Sequence, residues 1–217
     1  DDGFAATAAD GRSWCARFVL LATGVVDVMP AMDGLEVGIA SHAVRLCAIC
    51  DGYGGSDADI AVLAPVDVGI HHAAFRRSFS RTVAVVPSEA GESSPECAEV
   101  AEQAGIELLP PALSMRCDEH GCEVETAAGA PRLDTLYPVL GSDAQSRLAS
   151  ELGADVDDSG ELLVDARMQT SVDGLYAIGD VVSALNQISV AMGHAAIAAS
   201  ALHSRLPTNW REQQVDG

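Results

Sequence analysis

Apolar positions along this chain fall into short continuous runs separated by turn residues, the pattern of buried strands alternating with helices. Phe4 to Ala9 and Cys15 to Ala22 read as two strands joined at Asp10-Gly11, the second ending in Ala22-Thr23-Gly24. A strand pair alone is marginal in water, so other elements shelter it or residues upstream of Asp1 are missing. Pro30 and Gly34 mark a connection, and Val37 to Tyr53 leads to a turn at Gly54-Gly55. A strand at Ile60 to Leu63, a helix at Val68 to Phe79 and a strand at Thr82 to Val86 make a βαβ unit, which implies a parallel sheet.

Pro95 to Ala104 reads as a second helix closed by Gly105, with a strand at Ile106 to Leu109 behind it. Met115 to Cys117 and Cys122 to Thr126 flank a polar turn, and Leu136 to Leu140 is a further strand. The last third predicts a helix from Ala144 to Leu152, a short apolar element at Leu162 to Val164, and the run Gly174 to Asp180. A final apolar helix from Ile188 to Leu206 carries Gly193, Ala196 and Ser200 on a small-residue face, and 207–217 is a polar tail.

With 48% hydrophobic and 20% charged residues the 217-residue chain has the profile of a folded globule, which excludes disorder and collagen-like repeats. Thirty-two acidic against twelve basic side chains give a net charge of -20, which repels nucleic acid and anionic membranes. Val190 to Leu202, broken by Gly193, His194 and Ser200, is too short to cross a bilayer, so a soluble, cytoplasmic protein is expected. All twelve basic residues are Arg, which excludes Schiff-base chemistry and a Walker-type lysine.

Six cysteines are too few for a disulfide-stapled scaffold, and four stand singly or at irregular spacing. Cys47 and Cys50 form a CxxC, a spacing that lets two thiols share a proton or close a reducible disulfide. Asp51 follows at once, a carboxylate able to pass protons to them. The alternatives are inert core cysteines, or half a zinc site completed by Cys117, His120 or Cys122, although Cys117-x4-Cys122 is a loose second knuckle. No metal is assigned.

Cys47-Ala48-Ile49-Cys50-Asp51-Gly52-Tyr53, taken with three other segments, resembles the low-molecular-weight thioredoxin reductase family of flavoprotein disulfide oxidoreductases. Phe18 to Gly24 is similar to that family's strand leading into the turn beside the flavin. Leu175 to Val181 is similar to its second FAD motif, and Asn186-Gln187-Ile188 to the segment capping the isoalloxazine ring. Order and spacing fit from Phe4 to Leu206. The resemblance implies an α/β fold of two Rossmann-like, three-layer domains. A discontinuous FAD domain (1–36 and 136–206) would hold an inserted NAD(P)-type domain (37–135) carrying the CxxC. It implies that Cys50 lies nearest the flavin, that Cys47 attacks an outside disulfide, and that Asp51 protonates the leaving thiolate. Thr23, Gly24, Gly179, Asp180, Gln187 and Ile188 would surround FAD. Beside the resemblance, a glycine at 179 allows close approach to a pyrophosphate, Asp180 suits a ribityl hydroxyl, and the Ile188 amide at a helix start suits the ring. Read alone, Gly179-Asp180 is more readily a simple turn after a strand, and it is the order of the four segments that favours the flavin reading. The implied partners are a thioredoxin-like protein or a small disulfide, and a second copy in a homodimer.

Two departures qualify the resemblance. No GxGxxG precedes Phe4, so the FAD domain is N-terminally incomplete, the expectation for a fragment or for a split or degenerate relative. A fragment is favoured, because Gly179-Asp180 and the final helix otherwise lack their partner sheet. After Ile60 to Leu63, moreover, Ala64-Pro65-Val66-Asp67-Val68-Gly69 stands where a GxGxxA/G loop belongs. Val66 replaces a close-approach glycine, Pro65 removes an amide donor and Asp67 adds negative charge. Pro87-Ser88-Glu89 stands where the family has paired arginines; His71, His72, Arg76 and Arg77 are the nearest positive charges, although such residues more often form a solvated helix face. The expected function is a flavin-dependent disulfide oxidoreductase exchanging electrons between FAD and Cys47/Cys50. Its donor would be other than NAD(P)H, ferredoxin for instance, or the flow would reverse, from a dithiol to oxygen. The alternatives are a conventional NAD(P)H-dependent enzyme and a non-catalytic relative that keeps the fold.

Overall fold

The computed structural model describes residues 3–183 and 185–208. In chain order the strands and helices are β1 (Phe4–Thr7), β2 (Ser13–Ala16), β3 (Val19–Leu21), β4 (Val25–Asp27), α1 (Leu35–Ser41) and α2 (Ala48–Asp51). There follow β5 (Ile60–Ala64), α3 (Val66–Arg76), β6 (Val83–Pro87), α4 (Pro95–Ala104) and β7 (Glu107–Leu108). Next come β8 (Ala112–Asp118), β9 (Gly121–Thr126), β10 (Arg132–Leu133), β11 (Thr135–Pro138) and β12 (Ser142–Ala144). The chain ends with α5 (Arg147–Ser150), β13 (Leu175–Ala177) and α6 (Ile188–Arg205). Residues up to Val26 and from Ser142 onward form one unit, and Asp27–Gly141 form another.

In the central unit β11, β5, β6 and β7 lie side by side in a parallel sheet, and β10, β9 and β8 form a separate antiparallel one. Every residue of β5 and β6 is buried, as strands covered on both faces require. Ile60, Val62 and Ala64 face Ile70, Ala73, Cys97 and Ala101 of α3 and α4. Ala61 and Leu63 point the other way, toward Val124, Leu133 and Cys122 of the antiparallel layer. Three layers result, and each fully buried Val, Leu or Ile of β5 contributes about 1.5–3 kcal/mol. Helix α4 spans the expected residues because Ser94 caps its first turn, Pro95 suits its first position and Gly105 takes the left-handed conformation (φ 61°) that ends it.

In the outer unit β1 and β2 pair antiparallel from Phe4↔Ala16 to Thr7↔Ser13, while β3 runs parallel to β13. The strand expected from Cys15 to Ala22 is therefore two strands, because the chain changes partner between Ala16 and Val19. The helix expected from Ala144 to Leu152 shortens to α5. Leu162 makes one bridge, to Val156, and is otherwise core beside Ala149 and Leu175. The strand expected at Leu136 to Leu140 is β11, which pairs with β5 in the central unit. The observed joints thus lie at 26/27 and 141/142, where the sequence reading places them at 36/37 and 135/136. In α6 only Ala198 and Ala201 are buried, and Ile188, Met192 and Ile197 stand exposed. No helix among the described residues is long and apolar enough to cross a membrane.

Candidate functional site

Helix α1 closes on His42 in the left-handed conformation (φ 65°), which turns the chain so that the Arg45 amide donates to the Leu136 carbonyl at 3.0 Å beside β11. Cys47 then caps the single turn α2, and its sulfur accepts the Cys50 amide at 3.2 Å. The two sulfurs are bonded, with Cα atoms 5.3 Å apart. Ala48 is buried while Ile49 and Cys50 are exposed, so the turn presents its disulfide at the surface.

Asp51, the last residue of α2, is held at both oxygens. Arg45 Nη1 stands 3.1 Å from Oδ2, and the Tyr137 hydroxyl donates to Oδ1 at 3.4 Å. Tyr137 is fully buried in β11, and the Arg76 guanidinium lies over its ring at 4.1 Å, a cation–π contact. Burial pulls Arg76 down to about 10, opposed by Tyr137 and Asp51; burial, then Asp51, push the Tyr137 phenol up. Sequence reasoning missed Arg45 and Tyr137 as site residues. Arg45 could have been found from its place two residues before the CxxC, whereas Tyr137 reaches Asp51 only through the β11–β5 pairing.

In the outer unit Ile178 donates to the Leu21 carbonyl, so the chain leaves β3 and β13 side by side at Thr23-Gly24 and Gly179-Asp180. Gly24 and Gly179 both have positive φ, 67° and 75°. The Thr23 hydroxyl donates to the Gln145 carbonyl at 2.7 Å, and the Gly179 amide to His194 Nδ1 at 3.3 Å. Gln187 caps α6 and Ile188 begins it.

The profile of a family described as pyridine nucleotide-disulphide oxidoreductase matches residues 4–195. The chain belongs to that family. It is 26% identical to the thioredoxin reductase of Helicobacter pylori (strain J99), an alignment covering 94% of this chain and 70% of that protein. It is 28% identical to the thioredoxin reductase of Peptoclostridium litorale, covering 85% and 63%. The chain thus spans roughly two thirds of the length of these relatives. Its fold is similar to that of HlmI (TM-score 0.83, 23% identity, 93% of this chain and 64% of that one). It is also similar to a thioredoxin reductase from Streptococcus pyogenes (TM-score 0.81, 23% identity, 94% and 70%).

The family's two dinucleotides fare differently on these residues. In the outer unit two positive-φ glycines stand at the carboxyl ends of parallel strands, a geometry that admits close approach of a ligand beside Asp180. The central unit does not suit a nicotinamide dinucleotide. Helix α3 begins directly at Val66 with Pro65 as its cap, so one amide donor is missing. Asp67 in the first turn accepts the Ser94 amide at 3.0 Å, placing a carboxylate at the end of the helix where a phosphate needs open N–H groups. The Ser94 amide and then its hydroxyl hold the Asp67 carboxyl below its usual range. Gly69 keeps a packing role, since an added Cβ would lie 2.6 Å from Val85 Cγ1.

The basic residues of α3 do not compensate. Arg76 is turned inward and donates to the His72 carbonyl at 2.8 Å; Arg77 donates to the carbonyls of Ala104 and Ser80. Burial, then Arg76, lower His72 from its ordinary value. Arg76 and Arg77 are thus spent on backbone carbonyls, which corrects the expectation that they belong to a solvated helix face.

Cys117 and Cys122 bear on the zinc alternative. They face each other across the β8–β9 ladder, and their sulfurs are joined. They are neither single nor ligands completing a zinc site with Cys47 and Cys50.

Proposed function

We propose that this chain carries the disulfide-exchanging centre of an FAD-dependent oxidoreductase, working on a thioredoxin-like protein or a small disulfide. The observation that carries this reading is the bonded, surface-presented Cys47–Cys50 pair with Asp51 held beside it. In the reductive direction the Cys47 thiolate attacks one sulfur of the outside disulfide, whose S–S bond breaks. Asp51 delivers a proton to the departing thiolate. Cys50 then attacks Cys47, forming the internal disulfide and releasing the second thiol, so two electrons and two protons pass from dithiol to substrate. Thr23, Gly24, Gly179, Asp180, Gln187 and Ile188 are the residues that would hold FAD, which when bound supplies the electron pair that regenerates the dithiol.

The loop at Ala64 to Gly69 supports a donor other than NAD(P)H, such as ferredoxin or another reduced protein, or a reversed flow from an outside dithiol. An anaerobic visible spectrum of the FAD-reconstituted protein tests both parts. A dithiol is expected to bleach the flavin bands, and NADPH or NADH at millimolar concentration to leave them unchanged. Bands that no dithiol bleaches contradict the exchange, whereas fast bleaching by either nucleotide restores the conventional NAD(P)H-dependent reading.

A further inference from the structure

We infer that Arg45 is the positioning residue for the proton carrier of the dithiol, an inference that rests on the exchange reading above and deepens it. Its side chain, 12% exposed, passes along the turn that carries the cysteines. Nη1 pairs with Asp51 Oδ2 at 3.1 Å and donates to the Asp51 carbonyl at 3.2 Å, while Nη2 donates to the Gly54 carbonyl at 3.3 Å. One guanidinium therefore grips the carboxylate, the backbone of the same residue and the turn three residues on. An added Cβ at Gly54 would stand 3.3 Å from Nη1, so the missing side chain leaves the guanidinium its place.

The forked guanidinium reaches these acceptors from two separate nitrogens, whereas a lysine ammonium at this position supplies the charge from a single one. Nε of Arg45 is buried with no hydrogen-bond partner among the described residues. A buried donor left unpaired disfavours the pose, and the contacts at the other two nitrogens hold it there. The Tyr137 hydroxyl fixes Oδ1 from the opposite side at 3.4 Å. Arg45 thus acts through Asp51. The proton that leaves a cysteine thiol passes to the fixed carboxylate and then to the departing substrate thiolate, and the electron pair moves from the dithiol into the outside disulfide.

The test is a double-mutant cycle on the whole chain, reading the rate at which the reduced dithiol reduces a small aromatic disulfide. Wild type, Arg45→Gln, Asp51→Asn and the double variant are compared, with urea unfolding as the check on folding. Arg45→Gln is expected to slow exchange about 10-fold, the scale of a misplaced catalytic group. It should slow it no further once Asp51 is Asn. Arg45→Lys, which keeps the charge but not the fork, is expected to recover only part of the rate. Equal slowing with and without Asp51 overturns the proposal while leaving disulfide exchange intact. Absence of any exchange in the wild type removes the exchange reading itself. Should Arg45→Gln not fold, the same cycle run with Arg45→Lys decides, and additivity there overturns the proposal equally.

Discussion

Cys50→Ser is expected to abolish turnover of an outside disulfide, by on the order of 10³-fold or more, and to leave a covalent adduct on Cys47. Without its partner sulfur, Cys47 can still break the outside bond, but nothing releases it from the mixed disulfide. Cys47→Ser is expected to lose turnover to the same degree and to form no such adduct, while any flavin stays bound in the other unit. Intact mass after reaction with an aromatic disulfide reads both results. These variants also fix the order of attack, because Cys50 is the more exposed of the two while the Cys47 sulfur accepts the Cys50 amide. An adduct on Cys50 in the Cys47→Ser protein, with none in the reverse variant, would exchange the two roles.

Tyr137→Ala is expected to destabilise the central unit by about 3–5 kcal/mol, the usual cost of removing a buried aromatic ring. Tyr137 belongs to the core formed with Ile60, Val62 and Ile70, so the cavity would open between β11, β5 and α3. The same change strips the buried Arg76 guanidinium of the ring below it, and leaves a largely desolvated cation with fewer partners. Tyr137→Phe keeps the ring and loses only the hydroxyl contact to Asp51, a loss of about 0.5–1.5 kcal/mol. Denaturant unfolding of both variants checks this, and equal, small losses for Ala and Phe would mean that the ring carries no such weight.

The central unit was largely legible because its signals are local. Ile60 to Leu63 and Thr82 to Val86 are unbroken apolar runs, which only strands covered on both faces require, and the Ser94-Pro95 start and Gly105 stop frame one helix. Where the reading failed, the deciding interaction lay far along the chain. The apolar run from Cys15 to Ala22 hides a change of partner, from β1 to β13, that its own residues do not announce. Arg76 and Arg77 look like a solvated basic pair, yet the first lies over the Tyr137 ring and the second is tied to Ala104. Cys117 and Cys122 were dismissed for their spacing. Set symmetrically about a polar turn on two strands, they fall opposite each other as soon as the hairpin register is drawn. The dithiol itself needs only its own four residues and was visible at once, whereas the clamp on Asp51 joins Arg45 to a strand 92 positions later by way of the sheet.

The exchanging redox couple proposed for this chain is Cys47 and Cys50. Its most direct test equilibrates the protein at a series of thiol–disulfide potentials, alkylates it and maps the label by mass spectrometry. Cys47 and Cys50 are expected to acquire label together, as one two-electron couple, before the buried Cys117–Cys122 pair does. Labelling of Cys47 and Cys50 that is independent of potential, or that appears only when the protein unfolds, would contradict it.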